Sequence, residues 1–171
     1  MYFFWVDCEM TGLDFDRDHV LELACIITDA NMNTVAEYQA VIYHDDTVLG
    51  EMNEWCQKIH GGSGLIDLVR SSNKKYGQVV DDIMILLRKY AEQKNTYIAG
   101  NSVYNDLLFI KKHMFEIADF LHYRIFDISS FKILAAIKNI PPYVKENTHT
   151  AMKDIQESIA EYRYYEKNAI C

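Results

Sequence analysis

Tyr2-Phe3-Phe4-Trp5-Val6-Asp7-Cys8-Glu9 is an aromatic and β-branched run that ends on two carboxylates. Such a run reads as a buried strand, and we place a strand over Tyr2 to Val6. The Asp- and Gly-containing stretch from Asp7 to Asp18 reads as a turn. Side chains two apart on a strand share a face, so Asp7 and Glu9 converge at the edge of an apolar strand. Buried carboxylates repel one another and are costly to desolvate unless a cation neutralises them. Hard oxygen donors suit Mg²⁺ or Mn²⁺. A lone D-x-E pair has a plainer reading as a solvated strand end.

Working outward, Val20 to Thr28 and Thr34 to Tyr43 read as further strands separated by a turn at Asp29-Ala30-Asn31. The first third is thus a three-stranded antiparallel meander. Leu49, Met52 and Trp55-Cys56 fit one short amphipathic helix broken at Gly61-Gly62-Ser63-Gly64. Val79, Ile83, Leu86-Leu87 and Tyr90 recur at helical spacing. Tyr97-Ile98-Ala99 is a strand, Asp106 to Met114 a helix, Arg124 to Ile128 a strand and Ser129 to Ile137 a helix. A last helix spans about Thr150 to Glu166, with Met152, Ile155, Ile159 and Tyr162 on one face. Strands followed by strand–helix alternation predict an α/β fold: a mixed sheet flanked by helices, in a single domain over 1–171.

Three more residues join the carboxylate pair. Asp106 starts a helix just after Gly100-Asn101-Ser102, where it is equally suited to steady the first turn. His149 lies on the loop entering the last helix, and Asp154 borders that helix's core stripe. Taken singly, both also read as surface residues. Together, two carboxylates on strand one, one after the fourth strand and one on the last helix can meet at one sheet edge. Two divalent ions ~3.5–4 Å apart would clamp the attacking and leaving oxygens of a phosphoryl displacement. His149, with an ordinary pKa near ~6.5, is placed to take a proton from the attacking water.

Composition narrows the partners. The 171 residues carry a formal net charge of −8, with no basic run longer than Lys74-Lys75 or Lys111-Lys112. A protein gripping long nucleic acid usually shows a basic face. The balance argues against a long polymer and leaves room for a very short oligonucleotide, with bound cations sharing the neutralisation. Cys8, Cys25, Cys56 and Cys171 are scattered with no C-x-x-C pair, which argues against structural zinc and suits reduced thiols in the cytoplasm. No apolar run is long enough to span a bilayer, and the N-terminus reads as strand rather than signal, so no membrane partner is expected.

Trp5-Val6-Asp7-Cys8-Glu9-Met10-Thr11-Gly12-Leu13-Asp14 resembles the opening of the oligoribonucleases, within the DEDDh exonucleases. Four segments agree in order and spacing: Trp55-Cys56 through Ser63-Gly64-Leu65; Gly100-Asn101-Ser102 with Asp106; His122-Tyr123-Arg124-Ile125 with Asp127 and Ser129; and His149 with Ala151, Asp154-Ile155 and Glu157-Ser158-Ile159. The resemblance implies a ribonuclease H-like fold with a mixed five-stranded sheet, a homodimer, and 3′→5′ release of 5′-mononucleotides from very short RNA, dinucleotides favoured. It casts Asp7, Glu9, Asp106 and Asp154 as ligands of two divalent cations, Mg²⁺ or Mn²⁺, and His149 as general base. Residues matching Leu13 and Trp55 stack on the bases. Those matching Ser102, Arg124 and Ser129 cap a 5′-phosphate, aided by the partner subunit's equivalent of Tyr123. His60 matches a residue near the substrate pocket.

This agrees with the residue chemistry. Arg presents a fork that binds two phosphate oxygens, and Trp offers a face that tolerates any base. Capping the 5′ end excludes longer chains, which would reconcile an acidic enzyme with an anionic substrate. The chain departs from the family at Cys8, at Leu107-Leu108, in the short stretch from Pro141 to Thr148, and at Thr150 and Lys153. Without the resemblance, Trp55 reads as core, Arg124 as an ion-pair residue and Tyr123 as a strand aromatic. His19, His44 and His113 read as surface or structural. Two other functions compete: an exonuclease trimming long RNA or DNA, which needs a basic track, and an inactive module that binds short nucleotides or a protein.

Overall fold

The computed structural model describes residues 1–145 and 150–170. Five strands form one mixed sheet: β1 (Tyr2–Met10), β2 (Val20–Asp29), β3 (Thr34–Val41), β4 (Thr96–Gly100) and β5 (Ile125–Asp127). Their order is β3-β2-β1-β4-β5. The first three pair antiparallel as the expected meander, and β4 and β5 add in parallel on the other side of β1. The helices are α1 (Asp46–Gly50), α2 (Glu54–Gly62), α3 (Leu65–Ser71), α4 (Tyr76–Tyr90), α5 (Tyr104–His113), α6 (Phe115–Phe120), α7 (Ile128–Ile137) and α8 (Ala151–Tyr165).

Strand alternation sorts the core onto two faces. Phe4, Val6 and Cys8 point to a layer built from Val79, Ile83 and Leu87 of α4 and Leu107, Phe109 and Ile110 of α5. Phe3 and Trp5 point the other way, onto Ile155, Ile159 and Tyr162 of α8. Trp5 is fully buried, and its indole N–H donates to Thr28 Oγ1 on the neighbouring strand at 3.1 Å. Asp7 and Glu9 share the parity of Phe3 and Trp5, so the same alternation that buries the tryptophan sends both carboxylates to the α8 side.

Three expectations need correction. The strand does not stop at Val6. Asp7 pairs with Ala24, Cys8 with Leu23 and Glu9 with Glu22, so the ladder overrides the turn-like composition as far as Met10. The single helix expected around Leu49 to Trp55 is two. Asn53 interrupts it and caps α2, its side chain accepting from the Cys56 N–H at 2.9 Å. The short helices α3 and α6 are additions to the expected set. The first begins at Gly64, whose φ of 79° lies in the left-handed region that glycine tolerates. His19, His44 and His113 are structural: His44 and His113 pack on Tyr76 and His19 packs on both of them, with ring centroids 4.8–5.8 Å apart. Cys8, Cys25 and Cys56 are buried and unbridged. Among the described residues no helix is long and apolar enough to cross a membrane.

Candidate active site

The C-terminal end of β1 meets the first turns of α8 and α5. Asp7 and Glu9 reach it from the strand and Asp154 from the helix. Each offers a carboxylate oxygen, and these atoms lie within 4.8 Å of one another. Asp154 is on the α8 face that carries Ala151 and Ser158, both buried, which is why a residue bordering the core stripe arrives at the sheet edge. Asp106, 6% exposed, sits in the first turn of α5 and accepts the Cys8 N–H at 2.9 Å. It therefore ties α5 to the strand between Asp7 and Glu9.

The electrostatics are those of crowded acids. Burial, then Asp106, Glu9 and Asp154, push the Asp7 carboxyl up to about 8. Burial, then Glu22 and Asp154, push Glu9 up to about 7. Asp106 rises to about 7 through burial, against hydrogen bonds from Cys8 that favour its ionised form. The donors are hard oxygens crowded more closely than their own charge allows, which fits Mg²⁺ or Mn²⁺.

His60 belongs to this group from behind. It is 3% exposed; its Nε2 lies 2.9 Å from the Met10 carbonyl and its Nδ1 3.8 Å from Glu9 Oε2. The ring thus docks α2 onto the end of β1. Trp55, in the first turn of that docked helix, is 68% exposed, so its plain reading as core does not hold. Leu13 follows Met10 by three residues and is 76% exposed. Two large apolar side chains thus stand in solvent, Leu13 on the segment that leaves β1 and Trp55 on the helix docked against its end.

Ser102 and Ser129 come together. The Ser102 backbone, in the left-handed region with φ 52°, donates its N–H to Ser129 Oγ at 2.9 Å and to Asp127 Oδ1 at 3.0 Å. Asp127 also accepts the Ser129 N–H at 2.8 Å as the cap of α7. Tyr123 and Arg124 precede β5 and are exposed. The guanidinium carbon lies 5.0 Å above the Tyr123 ring, and no salt bridge holds Arg124 among the described residues. His149 lies outside the described residues.

The sequence reading assigns no role to Lys132, Lys145 or Glu161, and takes Asn101 only within Gly100-Asn101-Ser102, with no role of its own. Glu161 is on the buried side of α8, 1% exposed, with Lys132, Lys145 and Asn101 around it. The available signal was an acid between Ile159 and Tyr162, close to two core positions.

Comparison with known proteins adds the family. The family model described as Exonuclease matches residues 4–162. An oligoribonuclease of Shewanella sp. (strain ANA-3) is 41% identical over 165 residues, covering 94% of this chain and 91% of that one. A probable oligoribonuclease of Schizosaccharomyces pombe is 44% identical over 165 residues, covering 94% of this chain and 66% of that one. Among solved structures, an Exonuclease I from Methylocaldum szegediense matches with a TM-score of 0.75 at 16% identity, covering 98% of this chain. E. coli Exonuclease I in complex with a 5cy-dT13 oligonucleotide matches at 0.73 and 16%. The chain spans about 40% of the length of these exonucleases, and the likeness is one of fold, the ribonuclease H-like arrangement that the sequence leads one to expect.

Proposed function

The chain belongs to the oligoribonuclease family of exonucleases, and from that premise we propose that it degrades very short RNAs, dinucleotides above all, to 5′-mononucleotides from the 3′ end. The observation that carries this reading is the convergence of Asp7, Glu9 and Asp154 within 4.8 Å, with Asp106 bonded to the strand between them.

In this proposal the four carboxylates hold two divalent cations, Mg²⁺ or Mn²⁺. When bound, the cations supply charge to the attacking and leaving oxygens of an in-line displacement. The chain's own residues do the rest. His149 accepts the proton of the attacking water. Leu13 and Trp55 offer apolar faces to the two bases, and their exposure suits that task. Ser102 and Ser129 present hydroxyls 3.1 Å apart, and Arg124 brings a fork-shaped cation to a 5′-phosphate. Tyr123, 78% exposed, would reach the site of a second subunit, making the active form a homodimer. Residues 1–171 act as one exonuclease domain in this reading, and the unbridged buried thiols suit a reducing cytoplasm.

The test is a chain-length series. The protein is incubated with 5′-phosphorylated RNAs from a dinucleotide to a long single strand, in Mg²⁺, Mn²⁺ or EDTA, and products are followed by mass. Rapid dinucleotide cleavage, slow attack on the longest RNA and silence in EDTA are expected. Preference for the longest strand would refute the short-substrate reading, and metal binding without turnover on any length would refute the enzyme.

A further inference from the structure

Gly100-Asn101-Ser102 ends β4, and each of the three residues holds a different part of the site. Gly100 lies against β1. A Cβ there would stand 2.9 Å from the Val6 carbonyl oxygen, so glycine lets the turn come this close to the residue before Asp7. Ser102 holds the start of α7, its N–H donating to Asp127 Oδ1 and Ser129 Oγ. Asn101, between them, reaches α8. Its Nδ2 donates to Ser158 Oγ at 2.8 Å and to Glu161 Oε2 at 3.0 Å.

Ser158 and Glu161 follow Asp154 on α8 by four and seven residues, so the three share one face of the helix. Ser158 in turn donates to the Asp154 carbonyl at 2.8 Å. Both acceptors of the Asn101 amide are buried, where water weakens a hydrogen bond least. Glu161, paired with Lys132 and Lys145, accepts, and this fixes which end of the amide faces it. Asn101 Oδ1 is left buried with no partner among the described residues. An apolar residue would fill the same place without stranding an oxygen. What the asparagine adds is its donor to α8.

We propose that Asn101 is a positioning residue of the exonuclease site: by tying α8 to the turn that carries Ser102, it fixes the separation between the Asp7–Glu9–Asp154 cluster and the Ser102–Ser129 pair. That separation decides which length of RNA has a bond at the cluster while its 5′-phosphate is held at the serines. The inference rests on the reading of those two places as cation site and phosphate cap. Asp154 arrives on α8 and the cap on the β4 turn and α7, so the two have independent supports that Asn101 joins. A misplacement of about 1 Å between a held substrate and the reacting groups costs ~10²-fold in rate. A dinucleotide gripped at both places feels such a misplacement in full. One held only at the cluster moves with it.

The readout is the 5′-phosphate effect: kcat/KM for a 5′-phosphorylated dinucleotide divided by kcat/KM for the same dinucleotide with a 5′-hydroxyl, in Mn²⁺. Both values come from one preparation of the full chain, so a smaller folded fraction cancels. Asn101→Ala is expected to lower this ratio roughly tenfold, with the loss in kcat and with KM for the phosphorylated dinucleotide within about twofold of wild type. Ser158→Ala, which leaves Asn101 on Glu161, should lower the ratio by less. A residue that only holds the fold slows both substrates alike, so an unchanged ratio in Asn101→Ala overturns the proposal. A fall carried by KM alone also overturns it, because it would place Asn101 in phosphate binding. Should circular dichroism show Asn101→Ala unfolded, the same criteria are applied to Ser158→Ala. A wild-type ratio near one is a distinct failure, that of the phosphate cap, and removes the proposal with it.

Discussion

Replacing Asp7 by asparagine should stabilise the metal-free protein, although it removes a residue central to the proposed chemistry. The folded chain holds a proton on Asp7 up to about pH 8, against an ordinary value of 3.8. Between those values the folded state binds more protons than the unfolded state, so this group's contribution to stability falls as pH rises. Every tenfold tightening of proton binding on folding corresponds to about 1.4 kcal/mol, which bounds the effect at roughly 5–6 kcal/mol. Asp7 is only partly buried, so water screens part of that, and Glu9, Asp106 and Asp154 redistribute protons as the charge builds. We expect Asp7→Asn to gain ~2 kcal/mol at pH 8, or on the order of 4–8 °C in Tm for a chain of this size. The gain should vanish near pH 4, where the folded protein carries both side chains neutral. Differential scanning fluorimetry in EDTA across that range is the assay. Adding Mn²⁺ should then raise the Tm of wild type far more than that of the variant. An Asp7→Asn protein destabilised equally at pH 4 and pH 8 in EDTA would refute the argument, because it would mean that the carboxylate holds the fold together instead of straining it.

The remaining predictions address other parts of the site. Trp55→Ala should raise KM for a dinucleotide about tenfold with little change in kcat, and urea unfolding should shift by less than ~0.5 kcal/mol because the side chain is 68% exposed. His149→Ala should lower kcat roughly 10²–10⁴-fold while leaving Mn²⁺ binding by calorimetry intact; loss of metal binding would show that it is a ligand. Mn²⁺ affinity should rise with pH through the range near 7 to 8 in which Glu9, Asp106 and Asp7 release their protons, since each bound proton must leave first.

The parts of the fold that are legible in the sequence are those whose local chemistry agrees with their surroundings. Tyr2 to Val6 is aromatic and β-branched, and it is the central strand of the sheet. Met152, Ile155, Ile159 and Tyr162 repeat at helical spacing, and they cover the face of β1 that carries Trp5. Where the two disagree, tertiary pairing wins. Asp7 to Met10 has turn-like residues, yet β2 holds it in register as far as Met10. Asn53 ends one helix and starts another through a side-chain hydrogen bond that periodicity does not register. Trp55 reads as core because tryptophan usually is, but the buried side of α2 is taken by Cys56 and His60. The family resemblance matches His60 to a residue near the substrate pocket, and the structure sets it beside the site, between Met10 and Glu9. The metal-ligand candidates are legible as a set because alternation along β1 and the face of α8 each dictate direction. Glu161 is not, because its partners Asn101, Lys132 and Lys145 come from three separate segments, and no local pattern records that meeting.

The acidity of the chain and the acidity of the site then have one explanation. The protein has a net charge of −8 and no run of basic residues longer than two, and its own carboxylates are crowded at the end of β1. That crowding is tolerable only if something offsets it, and two routes are open. Protons can do so, as the raised values of Asp7, Glu9 and Asp106 indicate. Divalent cations can do so fully: two of them would balance four carboxylates and put positive charge where it faces a phosphodiester. On this account the positive potential a nuclease needs is imported with its cations and confined to one bond, while the rest of the surface stays acidic. Such a surface would disfavour every additional phosphate of a longer strand, which accords with the proposed preference for a substrate that has almost none to spare.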